Sequence, residues 1–169
     1  MKTEFWNSAA YNGLLLALVS IIFTLTKALI PTTGIAAALT ITKLVFTVGV
    51  LYYFIKQYSR EQENFLYKNG FRYGFAVSLC SAVVLAVYAA VHYLYIFPDA
   101  LDKEIETVLE VMEKANAPGN PFLDMMLKHY LPVKVFGEFL NPVIWGLIVS
   151  AILASFTKKE VPLFDPSGE

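Results

Sequence analysis

The sequence has little charge and a single cysteine. Charged residues make up 16% of its 169 residues, against about 25% in soluble domains. The hydrophobic fraction is 57%, and a globule of this length needs more polar residues than that to cover its surface. One cysteine, Cys80, excludes an intramolecular disulfide and a zinc site built from cysteines. The composition therefore indicates a membrane protein rather than a soluble domain.

Motifs of catalysis and binding are also missing. The sequence has no glycine-rich phosphate loop, no His-Glu-x-x-His zinc motif and no Gly-x-Ser-x-Gly nucleophile elbow. No acidic residue lies near the middle of an apolar stretch, where ionisable residues usually mark a proton pathway. We therefore expect no enzymatic activity, no cofactor, no metal and no nucleic-acid partner.

Four apolar stretches are each long enough to cross a bilayer core of about 30 Å as a helix of roughly 20 residues. They predict an all-α integral membrane protein with four transmembrane helices, in one domain over residues 1–169. The first stretch exceeds the 7–15 residues of a signal-peptide core, so we expect it to be retained rather than cleaved. The predicted spans cover approximately residues 9–30, 35–55, 71–97 and 131–156.

The positions of the basic residues predict the orientation. The segment 98–130 has three lysines against seven acidic residues. Basic residues favour the cytoplasmic side, so we expect both termini inside and segment 98–130 outside, in the inner membrane of a bacterium. The cytoplasmic basic loop, residues 56–72, contains Lys56, Arg60, Lys68 and Arg72.

The outer segment contains a predicted amphipathic helix over approximately residues 100–115. Its apolar residues recur at helical spacing, and residues 117–121 interrupt it before a second short run at 122–130. Two interpretations stay open: a helix lying on the membrane or the bundle, or a docking surface for a partner. An acidic face argues against adsorption to anionic lipid.

Small residues recur at every fourth position of the third predicted span. Close backbone approach at such positions packs helices in lipid. The seam could serve inside one four-helix bundle, or between this chain and a second copy or a partner. The predicted seam consists of Gly70, Gly74, Ser78, Ala82, Ala86 and Ala90.

Ionisable residues within the spans form a candidate polar pocket facing outward. Lys134 and Glu138 are four residues apart, so they share a helix face and can pair. Lys43 and His92 lie towards the same predicted end, although Lys43 could instead extend to the interface. Pro142 predicts a kink in the fourth span. The candidate pocket is Lys43, His92, Lys134 and Glu138.

Five segments of the chain carry a resemblance to a known family: Tyr-Lys-Asn-Gly-Phe (67–71), Tyr-Leu-Tyr-Ile-Phe-Pro-Asp (93–99), Val-Met-Glu-Lys-Ala (111–115), Asn-Pro (120–121) and Lys-Lys (158–159). With these segments the layout resembles domain-of-unknown-function family 4199, uncharacterised membrane proteins common in Bacteroidetes. The resemblance covers nearly the whole chain. It implies four membrane helices but no activity and no catalytic residues. It also implies a neighbouring gene for a polyprenyl-phosphate glycosyltransferase.

These features favour a non-catalytic inner-membrane accessory or scaffold subunit. Its expected partners are the lipid bilayer and a membrane enzyme, such as a polyprenyl-phosphate glycosyltransferase, or a second copy. The alternative is a small dimeric transporter or lipid-binding membrane protein that uses the polar pocket. A membrane-embedded enzyme is a third hypothesis, and it would need an acid–base pair that the sequence does not indicate.

Overall fold

A computed structural model describes residues 2–29, 33–114, 125 and 127–159. Over these residues the regular secondary structure is entirely helical. Long apolar runs without internal helix breakers account for the length of most of these helices. The helices are α1 (Lys2–Leu29), α2 (Thr33–Arg60), α3 (Tyr67–Val91), α4 (Pro98–Lys114) and α5 (Tyr130–Thr157).

Four of the helices, α1, α2, α3 and α5, are long and apolar enough to cross a membrane. Their large apolar side chains point outward: Ile22 is 63% exposed, Val45 67% and Phe156 73%. In water such a surface would be unfavourable, since each apolar side chain is stabilised by removal from water. The fold therefore agrees with a multi-pass membrane protein.

Ring contacts show that α1 and α2 are antiparallel. The Phe5 ring lies 6.0 Å from the Tyr58 ring, and the Phe23 ring lies 6.1 Å from the Phe46 ring. Moving forward along α1 therefore means moving backward along α2. This agrees with the predicted hairpin, although Pro31 lies outside the described residues.

The interface between α3 and α5 is built from small residues. Gly70 lies against Ala154, and Gly74 lies against Ser150. A Cβ atom added to Gly146 would clash with the side chain of Ser78. These pairs run in opposite directions along the two helices, so α3 and α5 are antiparallel and approach closely, as expected for small residues at every fourth position.

The rest of the predicted seam is more open. Ala82 is buried, whereas Ala86 and Ala90 are half-buried. On α1, a Cβ atom at Gly13 would come within 2.6 Å of the Cys80 Cβ atom. The chain thus uses small residues of α3 for contacts with both α5 and α1.

The four long helices define two ends of the bundle. At one end, α1 and α3 finish and α2 and α5 begin. The helix α4 also lies at this end, because it follows α3 and precedes α5 in the chain. We name this the α4 end. At the opposite end α1 and α3 begin, and α2 and α5 finish. We name this the basic end.

Tyr73 links three helices near the basic end. Its ring is buried and stacks on the Tyr58 ring of α2 with centroids 3.9 Å apart. Its hydroxyl oxygen accepts a hydrogen bond from Asn12 Nδ2 of α1 at 2.7 Å. The Ser8 hydroxyl shares a further hydrogen bond with it at 2.7 Å. These contacts fix the directions of α1, α2 and α3 relative to one another.

The observed helix bounds differ from the predicted spans at several ends. α2 continues to Arg60 and α3 begins at Tyr67, so the connection is shorter than the predicted loop 56–72. α5 continues through Pro142, as the predicted span 131–156 does. Pro31 and Thr32, the predicted break at 117–121 and the first residues of the run 122–130 lie outside the described residues.

Candidate functional site

The α4 end contains a cluster of polar side chains centred on Glu104 of α4. Lys134 Nζ of α5 lies 2.9 Å from Glu104 Oε2. The Tyr93 hydroxyl donates a hydrogen bond to Glu104 Oε1 at 2.9 Å. The Tyr130 hydroxyl donates to Glu104 Oε2 at 3.2 Å. One carboxylate therefore joins α4 to α5 and to the residues that follow α3.

Lys134 has a second favourable contact within this cluster. Its Nζ lies 5.7 Å from the centroid of the Tyr93 ring, within the range of a cation–π interaction. The ion pair is part-solvated, because the Lys134 side chain is 28% exposed and that of Glu104 37%. Its stabilisation is accordingly modest.

The surroundings of Glu104 favour its ionised form. Burial by itself raises the pKa of the Glu104 carboxyl group. The hydrogen bond and charge of Lys134, together with the hydroxyl groups of Tyr93 and Tyr130, outweigh burial and hold that pKa below its ordinary value. Glu104 is therefore a carboxylate at neutral pH, with acceptor positions occupied by three donors.

His92 lies next to this cluster, at the start of a π-helical turn over His92–Ile96. The backbone N–H of Phe97 donates to the His92 carbonyl oxygen at 2.8 Å. The His92 side chain is buried, and its Nδ1 shares a hydrogen bond with the Tyr88 hydroxyl at 3.0 Å. The Tyr93 ring lies 5.1 Å away, so His92 is held among aromatic side chains.

Lys43 occupies a separate position between α1 and α2. Its Nζ donates a hydrogen bond to Thr24 Oγ1 at 3.4 Å. Three of the predicted pocket residues thus fall into two groups: Lys43 contacts α1, while His92 and Lys134 meet at Tyr93.

One predicted pairing is corrected by the structure. Lys134 forms its ion pair with Glu104 of α4 rather than with Glu138. The four-residue spacing permitted the Glu138 pair, but α4 supplies a carboxylate at 2.9 Å together with two tyrosine donors. In that position the Lys134 ammonium group also lies over the Tyr93 ring, so it has two favourable contacts.

The sequence matches a family model described as "Protein of unknown function (DUF4199)" over residues 11–159. The chain belongs to DUF4199. This confirms the resemblance seen in the sequence. The matched residues include α3, α4 and the Glu104 cluster. No curated protein and no solved structure matches the chain.

At the basic end of this DUF4199 protein the predicted basic residues are all exposed. They lie in the last turns of α2 and the first turns of α3, so the connecting loop is residues 61–66. The second residue after α5 contacts that loop: the Lys159 backbone N–H donates to the Phe65 carbonyl oxygen at 2.9 Å. The exposed residues are Lys56, Arg60, Lys68 and Arg72.

Sequence reasoning missed Glu104, Tyr93 and Tyr130 as members of the site. A usable signal was present, because Glu104 borders the apolar face formed by Leu101 and Ile105. An acidic residue at the border of an apolar helix face is costly unless it finds a partner. That position distinguishes Glu104 from the other acidic residues of α4 as a candidate site residue.

Proposed function

We propose that this protein is a non-catalytic inner-membrane accessory or scaffold subunit that binds a membrane enzyme through α4. The Glu104 cluster carries the proposal, because it fixes an acidic helix against the membrane bundle. A fixed helix binds a partner without first losing conformational freedom. A polyprenyl-phosphate glycosyltransferase is the first candidate for the enzyme.

The geometry of α4 supports a docking role. Leu101, Ile105 and Val108 are half-buried, whereas Asp102 and Glu106 are exposed. The acidic face therefore points away from the protein. A partner with a basic surface would complement it and would be attracted before contact.

Contacts of small residues within the chain also support α4 as the docking surface. Gly70, Gly74 and Ser78 of α3 lie against α5. A partner is therefore expected to meet α4 rather than that part of the α3 seam.

The roles of the polar residues support a non-catalytic protein. Glu104 accepts hydrogen bonds from Tyr93 and Tyr130 and pairs with Lys134. A carboxylate occupied by three donors is poorly suited to take a proton from a substrate. These residues hold α4 against α5 and against the residues that follow α3.

The exposed basic residues support the orientation. Lys56, Arg60, Lys68 and Arg72 lie at the end opposite α4. The bias of basic residues towards the cytoplasm supports an orientation with the basic end inside and α4 outside. In this orientation α4 docks a domain or loop on the outer face of the membrane.

A pull-down from native membranes in mild detergent tests the proposal. We expect a membrane enzyme to co-purify in stoichiometric amount. The double variant Asp102→Lys and Glu106→Lys should lose that enzyme. The matched control is Glu61→Lys with Glu63→Lys, which makes the same charge change at exposed residues of the basic end and should retain it. Recovery of this chain alone, or only with itself, would refute the proposal.

A further inference from the structure

A groove follows the outer face of α2 towards the basic end, and the proposed docking role of α4 makes no use of it. The basic part of this groove opens among Lys56, Gln57 and Arg60. The apolar part surrounds Gly49, where an added Cβ atom would meet open space. Tyr53 lines both parts, so they adjoin. We name the whole the α2 groove, and its apolar part is lined by Val45, Phe46, Gly49, Val50 and Tyr53.

The charge of the α2 groove is positive. Lys56 and Arg60 are both exposed, and they lie on one helix face because they are four residues apart. Lys56 Nζ lies 5.5 Å from the centroid of the Tyr52 ring, a cation–π contact that holds the ammonium group at the groove. The sequence of α2 contains no acidic residue, and the described residues that line the groove include none. The basic part therefore attracts an anion.

The depth of the basic part matches that of lipid headgroups. α2 has 28 residues, a length of about 42 Å, whereas the hydrocarbon core of a bilayer is about 30 Å thick. A symmetrically placed α2 therefore extends by about 6 Å, or one turn, into the headgroup region at each end. At the basic end this last turn contains Gln57 and Arg60 and begins beside Lys56.

We propose that the α2 groove binds one anionic phospholipid of the leaflet at the basic end. The phosphate group lies between Lys56 and Arg60, and one acyl chain follows the apolar part over Gly49. An arginine guanidinium donates two parallel hydrogen bonds to phosphate oxygens, and a lysine ammonium binds them as a point charge. Gly49 precedes Lys56 by seven residues, about 10 Å along the helix axis towards the membrane centre. A lipid whose phosphate lies at Lys56 therefore has its acyl chain at the depth of Gly49.

A second copy of this chain fits the α2 groove less well than a lipid does. In a pair with two-fold symmetry, the same surface of each chain forms the interface. Lys56 and Arg60 of one copy would then face the same residues of the other. Like charges opposed across an interface disfavour association, so the charge of the groove selects a lipid phosphate as its occupant.

Native mass spectrometry of the full chain in detergent, titrated with phosphatidylglycerol, tests the basic part of the site. Lys56→Gln and Arg60→Gln should each weaken binding about fivefold, since a basic residue near an anionic lipid surface contributes roughly 1 kcal/mol. Lys68→Gln is the matched control, because it removes an exposed charge at the same end but on α3, and it should bind as the unchanged protein does. Lys56→Arg keeps the charge and should keep most of the binding.

A second pair of variants tests the apolar part. Gly49→Leu fills the groove without changing charge and should weaken binding of the lipid. Gly137→Leu makes the same change at another position with open space around its Cβ and should not. Millimolar inorganic phosphate should not displace the lipid, since it cannot occupy the apolar part. Unchanged binding in Lys56→Gln or Gly49→Leu, an equal loss in either control, displacement by phosphate, or a dimer that strengthens in Arg60→Gln would overturn the proposal.

Discussion

The substitution Glu104→Gln should release α4 from the bundle while leaving the long helices in place. Glutamine keeps the size of the side chain but removes the charge that pairs with Lys134 at 2.9 Å. Its carbonyl oxygen can still accept one hydrogen bond from Tyr93 or Tyr130. Its amide N–H₂ group replaces the other acceptor, so a group that donated to that carboxylate oxygen loses its acceptor there.

The expected magnitude follows from the geometry. A hydrogen bond to a charged group contributes about 1.5–3 kcal/mol, and an exposed ion pair contributes less than about 1 kcal/mol. The side chains of Lys134 and Glu104 are 28% and 37% exposed, which favours the lower values. We expect a loss of about 2 kcal/mol in the attachment of α4, which corresponds to roughly a 30-fold rise in the detached population.

Hydrogen–deuterium exchange measured by mass spectrometry reports this population directly. Peptides covering Pro98–Lys114 should exchange about 30-fold faster in Glu104→Gln, since opening of α4 is a local event. Peptides from α3 and α5 should change little. Glu106→Gln makes the same chemical change at an exposed position of α4 and is the control. Equal acceleration by both variants, or none by Glu104→Gln, would refute the assignment of Glu104 as the anchor.

Two further predictions concern acid and helix packing. The lowered pKa of Glu104 means that ionisation stabilises the α4 contact at pH values above the ordinary glutamic acid pKa of about 4.3, and that this stability is lost as pH falls through the lowered value. The hydrogen–deuterium exchange rate of α4, corrected for the intrinsic pH dependence of exchange, should rise as the pH falls through this window in the unchanged protein. In Glu104→Gln the corrected rate should stay level. Gly146→Leu should lower stability by about 1–3 kcal/mol through overpacking against Ser78, seen as a lower melting temperature in detergent. Gly137→Leu, with open space at its Cβ, should change it by less than about 0.5 kcal/mol, and an equal loss there would contradict the packing argument.

The four long helices were predictable because length and apolar composition alone decide whether a helix can cross a membrane. Their exact ends were not. Lys56 and Arg60 were assigned to a loop because the apolar run had ended, but α2 continues through them. A polar sequence without a helix breaker can extend a helix beyond the hydrocarbon region.

The candidate site was less predictable because it depends on contacts distant in sequence. The pattern of α4 suggested that its acidic residues all face solvent, while Glu104 turns towards Lys134, 30 residues later in the chain. The π-helical turn at His92–Ile96 also has no sequence signal, since one extra residue in a helical turn leaves hydropathy unchanged. π-helical turns often occur at functional sites, so this end of the bundle is the place to seek one.

Photocrosslinking in living cells tests the accessory role most directly. A photoreactive amino acid at position 106, on the exposed face of α4, should form an adduct with one membrane enzyme. The same probe at position 61, exposed at the basic end, should not. Adducts of position 106 only with lipid or with a second copy of this chain would contradict the account.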